Sequence, residues 1–168
     1  MKPWQFVLVG ILGAGILGWA TLGISIWKSA RLEGSVKQVR TLAMDERSSV
    51  AIVDFEAENP SSIEMMIGDR TLHIVNQQGI PYEGRTLGVV DIKGLFEYFP
   101  ALGSMENEPL VKRVRVSSGE KVAGMVAARF EIPKHELDLR REITLQINDI
   151  DGGVSALRLE SSSLPSSQ

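Results

Sequence analysis

The chain of 168 residues contains no cysteine. That excludes a disulfide framework, a thiolate zinc site, a thiol nucleophile and a cysteine-linked lipid. No glycosylation sequon is usable either, because Asn59-Pro60-Ser61 has proline in the forbidden position. Charge of either sign is missing from Phe6 to Trp27. Lys2 is the one charged side chain before that run, and all 21 acidic residues follow it. The net charge is only −3, which gives no electrostatic case for nucleic acid. GxSxG, P-loop, HExxH and paired-carboxylate signatures are absent, so neither an enzyme nor a cofactor is expected.

What fills the uncharged stretch is apolar. As a helix rising about 1.5 Å per residue, Phe6 to Trp27 would extend roughly 33 Å, against a hydrocarbon core of about 30 Å. Trp4 and Trp27 bracket it, as interfacial tryptophans do, and Trp19 lies within. The expectation is a membrane anchor over residues 1–31. A cleaved signal peptide is the alternative, but Gly18-Trp19-Ala20 is a poor cleavage site and the apolar run continues past it. Gly10, Ala14 and Gly18 recur every fourth residue, a spacing that would put them on one helix face for docking another helix. Glycine and alanine are also simply common in membrane helices. Gly13 to Gly18 matches GxGxxG, with Glu33 as the acid beyond, but no βαβ alternation follows, so a nucleotide site is not expected. Lys2 argues for a cytoplasmic N-terminus, whereas Lys28, Arg31, Lys37 and Arg40 argue the reverse by count. The short N-terminal tail favours an exported domain, periplasmic or at the cell surface.

From Val36 onward the dominant period is two, the strand signal. Ala51, Val53, Phe55 and Ala57 share one face, and Ile52, Asp54 and Glu56 the other. Further strands are expected at Ile63 to Ile67, Thr71 to Val75 (with Gly68-Asp69 as a tight turn), Leu87 to Ile92, Leu110 to Val116, Val122 to Ile132, Ile143 to Ile147 and Val154 to Leu159. Leu95, Phe96, Phe99 and Leu102 have helical spacing, so Lys93 to Met105 reads as a short helical crossing. About seven or eight short strands predict an all-β, immunoglobulin-like antiparallel β-sandwich over 32–160. The polar remainder, 161–168, reads as a disordered tail.

Two stretches carry a family resemblance. Val50 to Pro60, a strand closing in Asn59-Pro60, is similar to the opening of the LEA-2/WHy domain. Gly119-Glu-Lys-Val-Ala-Gly124 with Phe130-Glu-Ile-Pro133 resembles a stretch of that family and of bacterial DUF4352-type domains, although Ser117-Ser118 stand where proline often precedes the glycine. The resemblance implies an immunoglobulin-like sandwich behind an N-terminal anchor. It implies no shared catalytic set.

Few residues point to chemistry. His73 and His135 are read as surface histidines, since a zinc site needs three or four grouped ligands. Asn148 to Gly152 looks like a fragment of a calcium loop, but Leu159 occupies the position of the closing acid, and a strand turn explains Asp-Gly-Gly as well. No metal is expected. Lys112, Arg113 and Arg115, with Arg140 and Arg141 later, are either a solvated edge or a contact for anionic lipid or an acidic partner. Phe96, Tyr98 and Phe99 either plug one end of the sandwich or anchor a partner. The functional expectation is a non-enzymatic interaction protein. Its partners would be the lipid bilayer and other membrane subunits, met through the anchor and the β-domain. A tethered lipid or small-ligand binding module is the alternative.

Overall fold

The computed structural model describes residues 29–159. The expected anchor Phe6 to Trp27, its Gly10/Ala14/Gly18 stripe and the tail 161–168 lie outside them. Among the described residues no helix is long and apolar enough to cross a membrane.

The described chain is all-β with two short helices. Eight strands follow in order: β1 Glu33–Ala43, β2 Ser49–Glu58, β3 Met65–Val75, β4 Pro81–Thr86, β5 Arg115–Val116, β6 Lys121–Phe130, β7 Glu142–Asp149 and β8 Val154–Leu159. Helix α1, Val89–Tyr98, and a 3₁₀ turn, Pro100–Leu102, follow β4, and helix α2, Lys134–Asp138, follows β6. Hydrogen bonding runs β4-β6-β2-β1-β8-β7-β3-β5, and β4 also pairs with β3. The sheet therefore closes on itself, as a sandwich with joined edges or a barrel does, and this protects its edges from other chains. All pairings are antiparallel except β1–β8, which is parallel at Ser35↔Arg158 and Val36↔Leu159.

β4 closes the β3–β6 gap only at one end. At the other end the segment around 108–116 fills it. Leu110 N–H donates to Met125 O at 2.8 Å, and Arg113 N–H donates to Ile67 O at 2.7 Å. Of the expected strand Leu110 to Val116, only Arg115–Val116 is regular strand, because the preceding residues must bridge two diverging strands.

Two further expectations are corrected. Ile63 to Ile67 and Thr71 to Val75 belong to one strand, β3. Gly68 and Asp69 form an irregularity within it, since Ile67 pairs with Asp149 but Arg70 with Ile147. Three steps on β3 oppose two on β7, the count of a β-bulge. Val89 to Ile92 are the first turn of α1, not a strand. Ile92 and Leu95 are buried there, and Gly88 N–H is taken by Asp91 Oδ2 at 3.3 Å.

The interior is filled by Phe55, Met65, Ile67, Leu72, Ile74, Phe130, Leu145 and Ile147, all essentially inaccessible. Each such side chain contributes about 1.5–3 kcal/mol. Gly84 makes room for the Phe130 ring, which a Cβ would meet at 2.6 Å. A second apolar layer lies outside the sheet, where Ile92, Leu95 and Leu102 cover Val50, Ile52, Met125 and Ala127. β2 is consequently buried on both faces along most of its length.

Candidate functional site

The first described residues do not hang free. Ala30 and Leu32 are buried, and Leu32 N–H donates to Ser155 Oγ at 2.8 Å. Gly153 lies so close that a Cβ there would strike Ala30 O. The chain thus enters the domain against the β7–β8 turn, and this end is called proximal below. The β1–β2 and β3–β4 turns and α2 lie at the other, distal end.

The cations Lys112, Arg113 and Arg115 are at the proximal end, bound to the β7–β8 turn through β3. Arg113 N–H donates to Ile67 O on one side of β3, and Ile150 N–H donates to Met66 O at 3.0 Å on the other. Asp149 Oδ1 accepts Met66 N–H at 3.1 Å. Arg113 holds a left-handed φ of 66°, the one positive φ at a non-glycine among the described residues. Two of the three cations are already partnered. Lys112 pairs with Asp69, and Arg115 Nη1 lies 3.4 Å from Glu64 Oε1. The hydrogen bond from Lys112, then its charge, holds the Asp69 carboxyl below the usual carboxylate range. Among them stand exposed apolar side chains: Val111 at 46%, Ile150 at 53% and Val154 at 51% accessibility.

The aromatic trio is not one cluster. Phe96 packs in the outer apolar layer, with the Arg40 guanidinium 4.8 Å from its ring centre. Tyr98 is exposed, and Phe99 caps the helix through its N–H to Leu95 O. None plugs an end of the sheet, because α1 crosses its flank. Arg140 and Arg141 sit apart from Lys112, beside α2. Burial pulls the half-buried Arg140 guanidinium below its ordinary value, and its Nη1 donates to Leu137 O.

His73 is half-buried on β3 and His135 exposed on α2. No group of three or more metal-binding side chains exists among the described residues. Asp149, within the calcium-like fragment, is buried and serves the β7–β8 turn, accepting Met66 N–H. The expected strand turn accounts for Asp-Gly-Gly.

One site lies outside the sequence expectations. Arg40 Nη2 and Asp54 Oδ2 form an ion pair at 2.5 Å on the outside of β1 and β2. Arg40 Nη1 also donates to Leu102 O and Ser104 O, and Asn107 Nδ2 to Asp54 Oδ1. These contacts pin the crossing segment to the sheet. The signal that could have found it is an acid between Ile52 and Phe55 in a strand apolar on both faces.

Surface clefts are shallow. One of about 320 Å³ at the distal end is lined by Asn76, Ile80, Tyr82, His135 and Leu139. Another of about 410 Å³, on the β3–β4 flank, is lined by Arg70, Arg85 and Lys112 with Asp69 and Glu83.

No protein-family model and no curated protein matches the chain. Among solved structures it is similar to an uncharacterized β-sandwich protein from Clostridium difficile 630. Identity is 10%, coverage is 79% of this chain and 87% of that one, and the TM-score is 0.37.

Proposed function

We propose that the protein is a membrane-anchored, non-enzymatic interaction protein, an accessory or structural subunit of a membrane complex. Phe6 to Trp27 spans the bilayer, and Gly10, Ala14 and Gly18 offer its docking face. The domain is an immunoglobulin-like sandwich of the LEA-2/WHy kind, held on the extracytoplasmic side.

The observation that carries this reading is how few residues separate the apolar run from the buried start of the domain. Only Lys28 and Ser29 separate the apolar run from buried Ala30. A module meant to reach a distant target would gain from a flexible linker. A subunit that must hold one orientation in an assembly gains from its absence. The filled interior, with Phe55 and Phe130 fully buried, supports this reading over a carrier that holds its ligand inside the sheet, and the clefts of about 320 and 410 Å³ lie open on the surface.

Mild-detergent extraction of the tagged full chain, followed by size-exclusion chromatography and mass spectrometry, tests it. Co-elution with a stoichiometric set of membrane proteins is expected. A lone monomer carrying a reproducible small molecule would overturn it in favour of the ligand carrier.

A further inference from the structure

The proximal end carries two kinds of surface, cationic and apolar, and their arrangement distinguishes how each could act. Two of the cations lie beside exposed acids of the domain. Lys112 is held by Asp69 and Arg115 by Glu64, while Arg113 makes no ion pair among the described residues. Exposed Glu120 and Asp151 lie at the same end. An anionic surface would therefore meet a mixed field with little net attraction. The apolar side chains have no such internal partners. Val111 is exposed two residues before Arg113, whose φ is left-handed. Ile150 and Val154 flank the β7–β8 turn, and Asn148 pairs with Val154 across that hairpin. Exposed aliphatic side chains at loop tips are unfavourable in water and favourable at the acyl boundary of a bilayer.

The position of these tips follows from where the chain begins. Ser29 and Ala30 lie against Gly153, at the base of the same hairpin. If Phe6 to Trp27 spans the bilayer, this end faces the headgroups within a residue or two of chain.

We propose that the Val111, Ile150 and Val154 tips rest in the bilayer interface and seat the domain on the membrane through apolar contact, with the neighbouring cations contributing little. This inference rests on the reading of Phe6 to Trp27 as a membrane span. Its occupant is a lipid bilayer, zwitterionic or anionic alike.

Because the chain has no cysteine, a single reporter thiol can be placed without background. The full chain is reconstituted in phosphatidylcholine nanodiscs that contain a spin-labelled lipid. A bimane is attached at I150C or, as a distal control of similar exposure, at I80C. Strong quenching at 150 and little at 80 is expected. It should persist in 1 M salt, where the screening length falls to about 3 Å, and should not require anionic lipid. Val111→Asp with Val154→Asp, in the I150C background, should abolish the quenching while flotation still finds the chain in the bilayer. A chain that fails to incorporate would overturn the anchor reading and this inference with it. A chain that incorporates but shows equal quenching at 150 and 80 would overturn this inference alone. Quenching that needs anionic lipid and disappears in salt would overturn it in favour of the cations.

Discussion

Arg40 on β1 and Asp54 on β2 face each other beneath the crossing segment, 2.5 Å apart and with 11% and 3% of their side chains accessible. Neither can be removed singly without leaving the other charge buried. Asp54→Ala is expected to cost about 3–5 kcal/mol, the usual cost of breaking a buried pair. Joint replacement, Arg40→Met with Asp54→Leu, should recover a large part of that loss. Urea denaturation of Arg40→Met alone, Asp54→Leu alone and the joint variant, beside Asp54→Ala, measures it. Additive losses in the double variant would show that the two side chains do not act as a pair.

Asn59 closes β2 and is fully buried. Its Nδ2 donates to Ile63 O at 2.8 Å and Val116 O at 2.9 Å, and its Oδ1 accepts Ser61 N–H at 3.1 Å. Asn59→Ala leaves those carbonyls without donors and should cost about 2–3 kcal/mol. Pro60, exposed beside it, should tolerate alanine within about 0.5 kcal/mol. Equal effects at the two positions in a denaturant titration would remove the stitching role from Asn59.

These two residues also mark where sequence reading succeeds and where it stops. Asn59-Pro60 is a local turn signal, and the turn is there. The alternation Ile143, Leu145, Ile147 gave β7 its buried face correctly, because that strand is covered on one side. Asp54 shares a face with Ile52 and Glu56, and period two alone does not say that the crossing segment covers that face through Arg40 and Asn107. Leu87 to Ile92 is short, apolar and β-branched, and such runs do not distinguish strand from helix. The burial of Ile92 and Leu95 against Met125 decided it. Gly68-Asp69 signals an irregular backbone but not whether the chain reverses or bulges. The parallel β1–β8 contact and the closing of the sheet are choices of partner, to which periodicity is blind. The pairing of Lys112 and Arg115 with acids distant in sequence was hidden likewise.

Gly153 tests the attachment of the first described residues. Any side chain there collides with Ala30 O, a backbone atom that cannot move alone. Gly153→Ala should detach Ala30 to Leu32 from the β7–β8 turn. Hydrogen exchange at the Leu32 amide, which Ser155 Oγ now protects, should then accelerate while β2 and β6 stay protected. Unchanged exchange at Leu32 would mean that the contact is not maintained in solution.

Arg113 carries a φ of 66°. A residue with a Cβ pays roughly 1–2 kcal/mol for that conformation. Arg113→Gly should therefore be more stable than Arg113→Ala by about 1 kcal/mol. Thermal or urea unfolding of the pair measures this directly, and an alanine variant as stable as the glycine one would contradict the turn.

Acid should weaken the domain through three carboxylates. A hydrogen bond from Ser48 holds Asp45 low, and one from Lys112 holds Asp69 low. Burial alone would raise Asp138, but hydrogen bonds from Lys134 and Thr41 outweigh it and leave it lowered. Depressed folded-state values mean that the unfolded chain binds protons first. The stabilisation is present above about pH 4, the ordinary Asp range, and is lost as pH falls through the lower folded values. The triple variant Asp45→Asn, Asp69→Asn, Asp138→Asn should lose less stability than the natural chain between neutral pH and pH 3. Equal losses would place the acid sensitivity elsewhere.

Alkaline carbonate extraction of membranes that express the full chain, beside a chain beginning at Ser29, tests the membrane-anchored reading most directly. The expected result is that the full chain stays in the pellet with integral proteins while the shortened chain is released. Release of the full chain by carbonate would contradict it.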